Sequence, residues 1–575
     1  MNIKVKLILL ILAYNVDGWV WQCEQNNNCV RTEKSPNYTY PSINTCRLAC
    51  GSFRSLWPQP TGKVALSQEL ELIDIRDLQI VINAQGDAVQ YLDKVSDYFK
   101  ELLNMEKTNC DIEAKKLKIV LISTSSDVNL LWKTDESYSL KIETDNEIKA
   151  TITGPTVFGV RHGLETLSQL VTKYKISEQK SCLVTLKNGK INDTPAYAHR
   201  GLLIDTARNY QSLSTIKRHI DGMASSKMNV LHWHITDSQS FPLVSTRIPN
   251  MSNYGAYSEK QTYSPEDVKD LMDYALIRGV RVILELDAPA HVGSGWEWGP
   301  EAGLGNLGVC IHQQPWRSYC IQPPCGQLNP MNPNVYKVLE LLYQDFVDLN
   351  PNADMFHMGG DEVFIPCWNS TNEITDSLKD RSEKAFLDLW ASFQQKALDK
   401  YDKVRNNHKT NLILWTSHLT NPAYIESYLP KDRYIIQTWV PQEDELPKEL
   451  LKLGYKLIIS TKNKWYLDHG FWGTTPYYNW RAVYNNIILR GEGVLGGEVC
   501  MWGELVDNQN VLQRTWPRAA AAAERLWSDP STTSEQAENR FFTHRDRLLF
   551  RGINAEAVVP KWCSQNEGKC NSYLP

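Results

Sequence analysis

The chain has 575 residues, which is long for one hydrophobic core and predicts two or three domains. Its formal net charge of −5 lacks the basic excess of a general nucleic-acid binder. The 42% of hydrophobic residues is enough for a large interior, and the 19 tryptophans favour a cleft that stacks on flat apolar faces.

The first 18 residues have the pattern of a cleaved secretory signal. Lys4 and Lys6 precede an apolar run, Leu7 to Ala13, that is too short to span a bilayer. No later stretch is apolar enough for a transmembrane helix. We therefore expect secretion to the cell exterior, with the lysosome as second choice, and no membrane span. Candidate N-glycan sites are the sequons at Asn37, Asn192, Asn250 and Asn369.

The 13 cysteines fall in local clusters, which in a secreted chain indicate disulfides more often than zinc sites. Residues 19–57 form a short Cys-rich segment, and the C-terminal tail is closed by a further pair. The expected disulfides are Cys23–Cys50, Cys29–Cys46, Cys310–Cys367, Cys320–Cys325 and Cys563–Cys570. The pairing of Cys110, Cys182 and Cys500 stays open. Because the total is odd, one thiol at least is unpaired, and the candidate is Cys500 in the apolar run "GVLGGEVCMW".

Residues 58–190 predict a small α/β domain. The segments "LKIVLIS", "YSLKIE" and "IKATITG" have the composition of strands, and "VFGVRHGLETLSQLV" has helical spacing. This part of the sequence shows no chemistry of its own.

From residue 191 to the C-terminus strands and helices alternate. Eight strands are expected at "HRGLLIDT", "NVLHWHITD", "VRVILELDAP", "MFHMGGDE", "LILWTSH", "YIIQTWV", "KLIISTK" and "VLGGEVCMWGE". Helical stretches such as "SPEDVKDLMDYALIRG" lie between many of them. Because apolar strands that alternate with helices form parallel sheets covered on both faces, the fold class is α/β and eight units predict a (β/α)₈ barrel.

Polar and aromatic residues recur where these strands end, the face on which such barrels build their active sites. The most unusual segment is "FHMGGDEVF", residues 356–364, in which Asp361 and Glu362 are adjacent. Like charges this close resist joint ionisation, and neighbouring side chains on a strand point opposite ways. We therefore expect the strand to end and flare there.

Five motifs, "HRGLLIDTARNY", "HWHITDSQSFP", "HMGGDEV", "ILWTSH" and "GGEVCMWGE", together resemble glycoside hydrolase family 20, the β-N-acetylhexosaminidases. The similarity runs from about residue 58 to the C-terminus. The Cys-rich start and "CIQPPCGQLNP" resemble the insect branch that degrades chitooligosaccharides. The resemblance implies exo-acting, retaining removal of terminal β-GlcNAc from chitooligosaccharides or other GlcNAc-terminated glycans, no cofactor or metal, and a homodimer.

By this resemblance the sugar's own acetamido oxygen is the nucleophile. Glu362 is then the acid and base, Asp361 orients the acetamido N–H, and Tyr466 holds the acetamido carbonyl. Asp237 and His291 support Glu362. A Trp-lined pocket and the neighbouring anion are expected to raise the pKa of Glu362.

The resemblance also assigns residues that bind the substrate. Trp415, Trp439 and Trp502 wall the pocket, and Arg208, Glu504 and Asp468 bind hydroxyls of the terminal sugar. Trp480 and Trp316 are expected to stack on a second sugar. Gln322 is expected to contact the sugar on the leaving-group side, in a position where this branch is expected to carry glutamate.

Three alternatives remain. A lysosomal-type hexosaminidase would trim glycoproteins or glycolipids with the same chemistry. An inactive GlcNAc-binding protein would keep the pocket, although intact Asp361, Glu362 and Tyr466 argue against it. The pair His232 and His234 resembles the H-x-H of metal-dependent barrel hydrolases, whereas two hydrogen-bonded interior histidines explain it more simply.

Overall fold

The computed structural model describes residues 19–33, 39–110, 112–177, 179–406 and 408–570. The predicted signal at 1–18 and the sequon at Asn37 lie outside the described residues. In chain order the structure contains a small disulfide-bonded module, a domain built on one sheet, and a closed barrel followed by helices. Within the described ranges, none of the helices combines the length and apolar composition that a membrane crossing requires.

The N-terminal module has few apolar residues to bury, so disulfides replace a core. It consists of β1 (Val20–Cys23), β2 (Cys29–Thr32) and α1 (Ile43–Ala49), held by Cys23–Cys50 and Cys29–Cys46. Arg47 donates to Glu567 at 2.6 Å. This buried ion pair ties the module to the C-terminal tail.

The second domain packs helices on an eight-stranded mixed sheet with the order β3-β10-β6-β7-β5-β4-β9-β8. Its strands are β3 (Val64–Leu66), β4 (Leu70–Asn83), β5 (Lys115–Ser123), β6 (Tyr138–Thr144), β7 (Ile148–Gly154), β8 (Thr172–Lys175), β9 (Ser181–Leu186) and β10 (Gly189–Asp193). Its helices are α2 (Asp87–Asn104) and α3 (Val157–Gln169). The predicted boundary at residue 190 falls inside β10, so the sheet extends a few residues further than expected.

This domain closes the N-terminal end of the barrel. Trp132 packs against the apolar layer at that end, and its backbone N–H donates to Asp354 at 2.8 Å. Two buried ion pairs cross the interface, Arg200 with Glu136 at 2.7 Å and Lys227 with Asp193 at 3.0 Å. Because such charges are costly unless paired, they hold the two domains in one arrangement.

The barrel closes in sequence order, and all its neighbouring strands are parallel. Its strands are β11 (His199–Asp205), β12 (Val230–His234), β13 (Arg281–Glu285), β16 (Met355–His357), β17 (Asn411–Trp415), β18 (Tyr434–Thr438), β19 (Lys456–Ile459) and β20 (Val494–Met501). The eight predicted strands and the (β/α)₈ fold are thus confirmed. A two-stranded ribbon, β14 (Gly308–Val309) with β15 (Gln327–Leu328), lies in the insertion after β13.

Helices surround the barrel, and several begin at side-chain caps, as at Ser264, whose hydroxyl accepts from the backbone N–H of Asp267. Between the strands lie α4 (Leu213–Ser225), α5 (Asn250–Gly255), α6 (Pro265–Ile277), α7 (Pro333–Leu349), α8 (Ile365–Asn369), α9 (Asn372–Thr375), α10 (Glu383–Val404), α11 (Ile425–Tyr428), α12 (Leu446–Lys452), α13 (Lys462–Trp465) and α14 (Trp480–Tyr484). After β20 follow α15 (Val511–Thr515), α16 (Arg518–Ser528), α17 (Ser534–Phe550) and α18 (Lys561–Ser564).

The cysteines pair as the sequence suggested. The structure forms the five expected disulfides and adds Cys110–Cys182, while Cys500 is a buried free thiol. Of the sequons among the described residues, Asn192 and Asn369 are exposed and Asn250 is half-buried. Glycosylation of these positions stays a prediction.

Candidate active site

The strand β16 ends at His357, and the chain then turns sharply before the two carboxylates. Gly359 and Gly360 have φ of 61° and 84°, and Glu362 has φ of 48°. Only glycine adopts such values freely, so Glu362 is held in a conformation that its neighbours must enforce. The turn breaks the alternation of the strand, as expected, and allows adjacent carboxylates to serve one site.

Asp287, beyond the end of β13, fixes this turn. Its Oδ1 accepts from the backbone N–H of Gly360 at 2.8 Å. A Cβ at Gly359 would lie 1.9 Å from the same Oδ1, so the glycine is needed for the close approach. Burial and the charge of Asp361 raise the pKa of Asp287 well above its usual value.

Glu362 faces His291, which in turn faces Asp237. The distances are 3.5 Å from Glu362 Oε2 to His291 Nε2 and 3.2 Å from His291 Nδ1 to Asp237. Arg208 Nη2 lies 2.8 Å from Asp237. Burial alone would lower the pKa of His291, but Asp237 and Asp287 raise it well above its usual value. The imidazolium beside Glu362 is therefore the stable form.

The same line of charges continues into the barrel. His234 lies between Asp237 and Glu285, at 2.9 and 2.6 Å. His232 lies between Glu285 and Glu498, at 2.9 and 2.7 Å. His234 donates from both ring nitrogens. His232 donates from Nδ1 to Glu498, and its Nε2 forms an ion pair with Glu285 without a hydrogen bond. Because carboxylates face both nitrogens of each ring, both rings are cations. Burial opposes this state, yet the two glutamates raise the pKa of His232 to about 9.

This arrangement bears on the metal-hydrolase alternative. Three sets of His and acidic side chains among the described residues are close enough to hold an ion, and all three draw on this chain of charges. An imidazolium ring, protonated on both nitrogens, has no lone pair for a metal. The geometry of His232 and His234 therefore favours hydrogen-bonded interior histidines.

Four aromatic side chains come together beside the carboxylates. Trp415, Trp439, Tyr466 and Trp502 pack in one cluster over Leu203 and Cys500. The indole N–H of Trp415 donates to Glu285 at 2.8 Å, and that of Trp439 donates to the Thr416 carbonyl at 2.7 Å. These bonds fix the two ring planes, so the structure assembles the predicted pocket wall.

The residues predicted to bind hydroxyls also converge. Arg208 is held by Asp205 at 3.1 Å, and its guanidinium lies 5.1 Å from the centre of the Trp502 ring. Among the described residues, Asp361 Oδ1, Asp468 Oδ1 and Glu504 Oε2 are buried acceptors without a hydrogen-bond partner. Unpaired buried carboxylate oxygens are costly, so these atoms are suited to donors from a ligand.

The structure corrects the expected pKa shift of Glu362. Burial does raise its pKa, but the hydrogen bond and charge of His291, together with Arg208, lower it below its usual value. The raised carboxyl is the neighbour: burial raises the pKa of Asp361 to about 6, with Glu362 adding to the shift and His291 opposing it. In the free protein, Asp361 rather than Glu362 holds the last proton of the pair.

Gln322 does not lie where it was expected. It accepts from Arg208 Nη2 at 3.0 Å and donates to Glu504 Oε1 at 2.8 Å. Both partners are assigned to the hydroxyls of the terminal sugar, so the amide reaches that end of the pocket instead of the leaving-group side. Trp316 lies on the same insertion, half-buried, with Arg317 4.2 Å over its ring. Its stacking role stays a prediction.

The expectation for Trp480 is wrong. The ring is 3% exposed and stacks on Phe541 at 4.1 Å, with Tyr484 and Phe542 beside it. Phe541 belongs to α17, so Trp480 joins the barrel to the C-terminal helices. A ring enclosed in this way cannot stack on a sugar.

Replacing Trp480 with alanine is therefore expected to act on stability. The cavity should lower the free energy of unfolding by about 3–5 kcal/mol, measured by urea denaturation. As a control, Trp472→Ala, at a ring that is 43% exposed, should change it by only about 0.5 kcal/mol. Unchanged stability in Trp480→Ala, with binding lost only for long oligomers, would restore the original assignment.

Trp472 itself was overlooked. Its indole N–H donates to Asp468 Oδ2 at 3.4 Å, so the ring contacts one of the residues predicted to bind hydroxyls. The signal in the sequence is its place between two glycines, Gly470 and Gly473. In the structure these glycines have φ of 92° and 59° and form a tight exposed loop. Glu285 was also missed, because its partners lie on other strands.

Two family models match the chain. "Glycosyl hydrolase family 20, catalytic domain" matches residues 197–530, and "beta-acetyl hexosaminidase like" matches residues 56–170. The first covers the barrel and the second covers most of the preceding domain.

Similar proteins extend over nearly the whole chain. A chitooligosaccharidolytic beta-N-acetylglucosaminidase of Ostrinia furnacalis is 40% identical and covers 98% of both chains. The beta-hexosaminidase subunit beta of Felis catus is 35% identical, covering 82% of this chain and 85% of its own. The solved structure of a Flavobacterium johnsoniae chitobiase matches with a TM-score of 0.69 at 26% identity, covering 87% of this chain and 73% of its own.

Proposed function

Since the chain belongs to glycosyl hydrolase family 20 and is a β-N-acetylhexosaminidase-type glycosidase, we propose that Asp361 and Glu362 drive substrate-assisted hydrolysis of terminal β-GlcNAc. The observation that carries this proposal is the flared end of β16. It holds two carboxylates beside one aromatic pocket, with a cationic histidine 3.5 Å from Glu362.

In this mechanism the acetamido group of the sugar binds among Trp415, Trp439 and Trp502. Its N–H donates to Asp361 and its carbonyl oxygen, held by Tyr466, attacks C1. Glu362 gives a proton to the leaving oxygen, so the bond to the aglycone breaks as the oxazolinium ring closes. Glu362 then removes a proton from the water that opens this ring, which returns the acid to its starting form.

The proton distribution supports these roles once substrate is present. In the free protein the pair holds its last proton on Asp361 up to about pH 6. An amide N–H that donates to Asp361 stabilises its charged form and so lowers its pKa. The same ligand excludes water from Glu362 and raises the pKa of that carboxyl. Substrate binding therefore moves the proton to the residue that must donate it.

This distribution predicts the pH dependence. Because both carboxylates are ionised once the last proton leaves, kcat/KM should decline as the pH rises above about 6. In Asp361→Asn the only remaining proton is on Glu362, whose pKa is lowered, so the decline should move to lower pH. Initial rates on a fluorogenic GlcNAc glycoside across pH 4–8 test this, and an Asp361→Asn profile centred at or above the wild-type pH would contradict it.

We further propose that chitooligosaccharides are the substrates. The support is near full-length similarity to a chitooligosaccharidolytic enzyme and the disulfide-closed insertion at the pocket. The alternative, trimming of N-glycans or glycolipids, uses the same chemistry. Incubation with chitotetraose and with a GlcNAc-terminated biantennary N-glycan, followed by mass spectrometry, separates them. Stepwise loss of one GlcNAc from chitotetraose at a higher rate supports the proposal, and preferential trimming of the N-glycan would contradict it.

Secretion and a homodimeric state belong to the same proposal. Six disulfides support passage through an oxidising compartment. Size-exclusion chromatography with light scattering on the purified protein tests the homodimer.

A further inference from the structure

Gln322 forms hydrogen bonds with two side chains that the proposed function assigns to the substrate. Its side-chain oxygen accepts from Arg208 Nη2 at 3.0 Å, and its amide donates to Glu504 Oε1 at 2.8 Å. A sugar hydroxyl also accepts and donates, and it needs the same donor and acceptor. In the free protein the glutamine therefore satisfies groups that the terminal sugar would satisfy.

The loop that carries Gln322 is held close to the pocket. The disulfide Cys320–Cys325 closes it, and the amide of Gln239 donates to the Pro323 carbonyl at 3.3 Å. The adjacent Ile321 is 51% exposed, so it does not anchor Gln322 in a core. A side chain tethered over so short a span competes at high effective concentration.

The rest of the hydroxyl-binding site is unfilled. Arg208 Nε, Asp468 Oδ1 and Glu504 Oε2 are buried without a hydrogen-bond partner among the described residues. Gln322 thus satisfies one half of the site and leaves the other half open. If Gln322 only supported Arg208 and Glu504 and stayed in place, a bound sugar could form hydrogen bonds only with the unpartnered atoms of the site.

We propose that Gln322 is a built-in competitor of the terminal sugar, and that release of its two hydrogen bonds sets the affinity for substrate. This inference rests on the proposed function. The apparent dissociation constant is the intrinsic one divided by the fraction of molecules whose loop has released the site. The competition weakens binding equally for every sugar that uses both Arg208 and Glu504, and it does not affect a ligand that uses neither.

The test is calorimetric titration of wild type, Gln322→Ala and Gln313→Ala with GlcNAc. We expect Gln322→Ala to bind about tenfold more tightly, since two hydrogen bonds to charged groups no longer need to be broken. Gln322→Asn, which is too short to span both partners, should also bind more tightly. Gln313 is an exposed glutamine of the same insertion, so its replacement should leave the affinity unchanged.

A second ligand separates competition from a general loosening of the pocket. Arg208 and Glu504 are assigned to the hydroxyls at the non-reducing end of the sugar, and the 3,4-dideoxy analogue of GlcNAc lacks these hydroxyls. Gln322→Ala should therefore change the affinity for this analogue less than about twofold. Equal or weaker binding of GlcNAc by Gln322→Ala would overturn the competitor and identify the amide as a support of Arg208. Failure of both wild type and Gln322→Ala to bind GlcNAc would refute the proposed function, and the competitor with it.

Discussion

Replacing Glu362 with glutamine is expected to lower kcat on chitobiose by about 10²–10⁴-fold, the range of general acid catalysis. Glutamine keeps the shape of the side chain but cannot give a proton to the leaving oxygen. In this variant His291 would lie beside the new glutamine side chain, since its Nε2 is 3.5 Å from Glu362 Oε2 in the wild type. Its Nδ1 faces Asp237. It is therefore poorly placed to serve as a substitute acid.

The leaving group distinguishes loss of the acid from loss of the fold. The dinitrophenolate of a 2,4-dinitrophenyl glycoside leaves without protonation. The rate of the first step, in which the glycosidic bond breaks, should therefore fall far less in Glu362→Gln on this substrate than on chitobiose. Glu492→Gln is the matched control, because Glu492 is exposed just before β20, at the opposite end of the barrel. Equal losses on both glycosides, or wild-type rates on chitobiose, would contradict the role of Glu362.

The barrel could be predicted because each of its strands and longer helices is encoded by a short, continuous stretch of sequence. Each strand is a short apolar run bounded by loops, and the longer intervening helices have their own period and cap, as at Ser264. The adjacent carboxylates were equally visible, since two glycines before Asp361 allow the strand to flare. Sequence patterns therefore predicted the fold correctly, and the structure brings the two carboxylates and the aromatic cluster together where strands end.

The wrong expectations concern side chains whose surroundings come from distant segments. The burial of Trp480 depends on Phe541, some sixty residues later. The pKa of Glu362 depends on His291 and Arg208, which lie on other strand ends and outweigh the burial of the carboxyl. Pairing of this kind is set by tertiary structure, which the composition around a residue does not encode.

The buried chain of charges explains why the site needs so many residues beyond those that touch substrate. Glu285 holds both the Trp415 ring and His234, and His234 holds Asp237. Each charge is compensated by its neighbours in the chain, so removal of one member leaves the charges beside it less well paired in the interior. This coupling links the wall of the pocket to the acid at its mouth.

The largest effect is expected from changing the substrate. If the acetamido oxygen is the nucleophile, a glycoside with a hydroxyl at C2 should be almost inert, since none of the protein's carboxylates is assigned to attack C1. Asp237 is engaged by Arg208, His234 and His291, which leaves it poorly placed for that role. The measurement compares the hydrolysis rates of 4-methylumbelliferyl GlcNAc and of the corresponding glucoside. Asp361→Asn should lower the rate on the GlcNAc substrate, because it removes the charge that faces the acetamido N–H.

Stereochemistry tests whether C1 is inverted twice, and the glucoside comparison then separates the acetamido oxygen from a carboxylate as the nucleophile. The acetamido oxygen attacks C1 from one face and water then attacks from the other, so two inversions leave the β configuration. Proton NMR of the first-formed GlcNAc, recorded before mutarotation, should show the β anomer. The thiazoline analogue of GlcNAc should bind tightly, because it resembles the cyclic intermediate. An α anomer would mean a single displacement by water, with a carboxylate as general base. Undiminished rates on the glucoside with a β product would require a carboxylate nucleophile, and Asp361 would then have to act on carbon instead of on the amide. Either result would contradict attack by the acetamido oxygen.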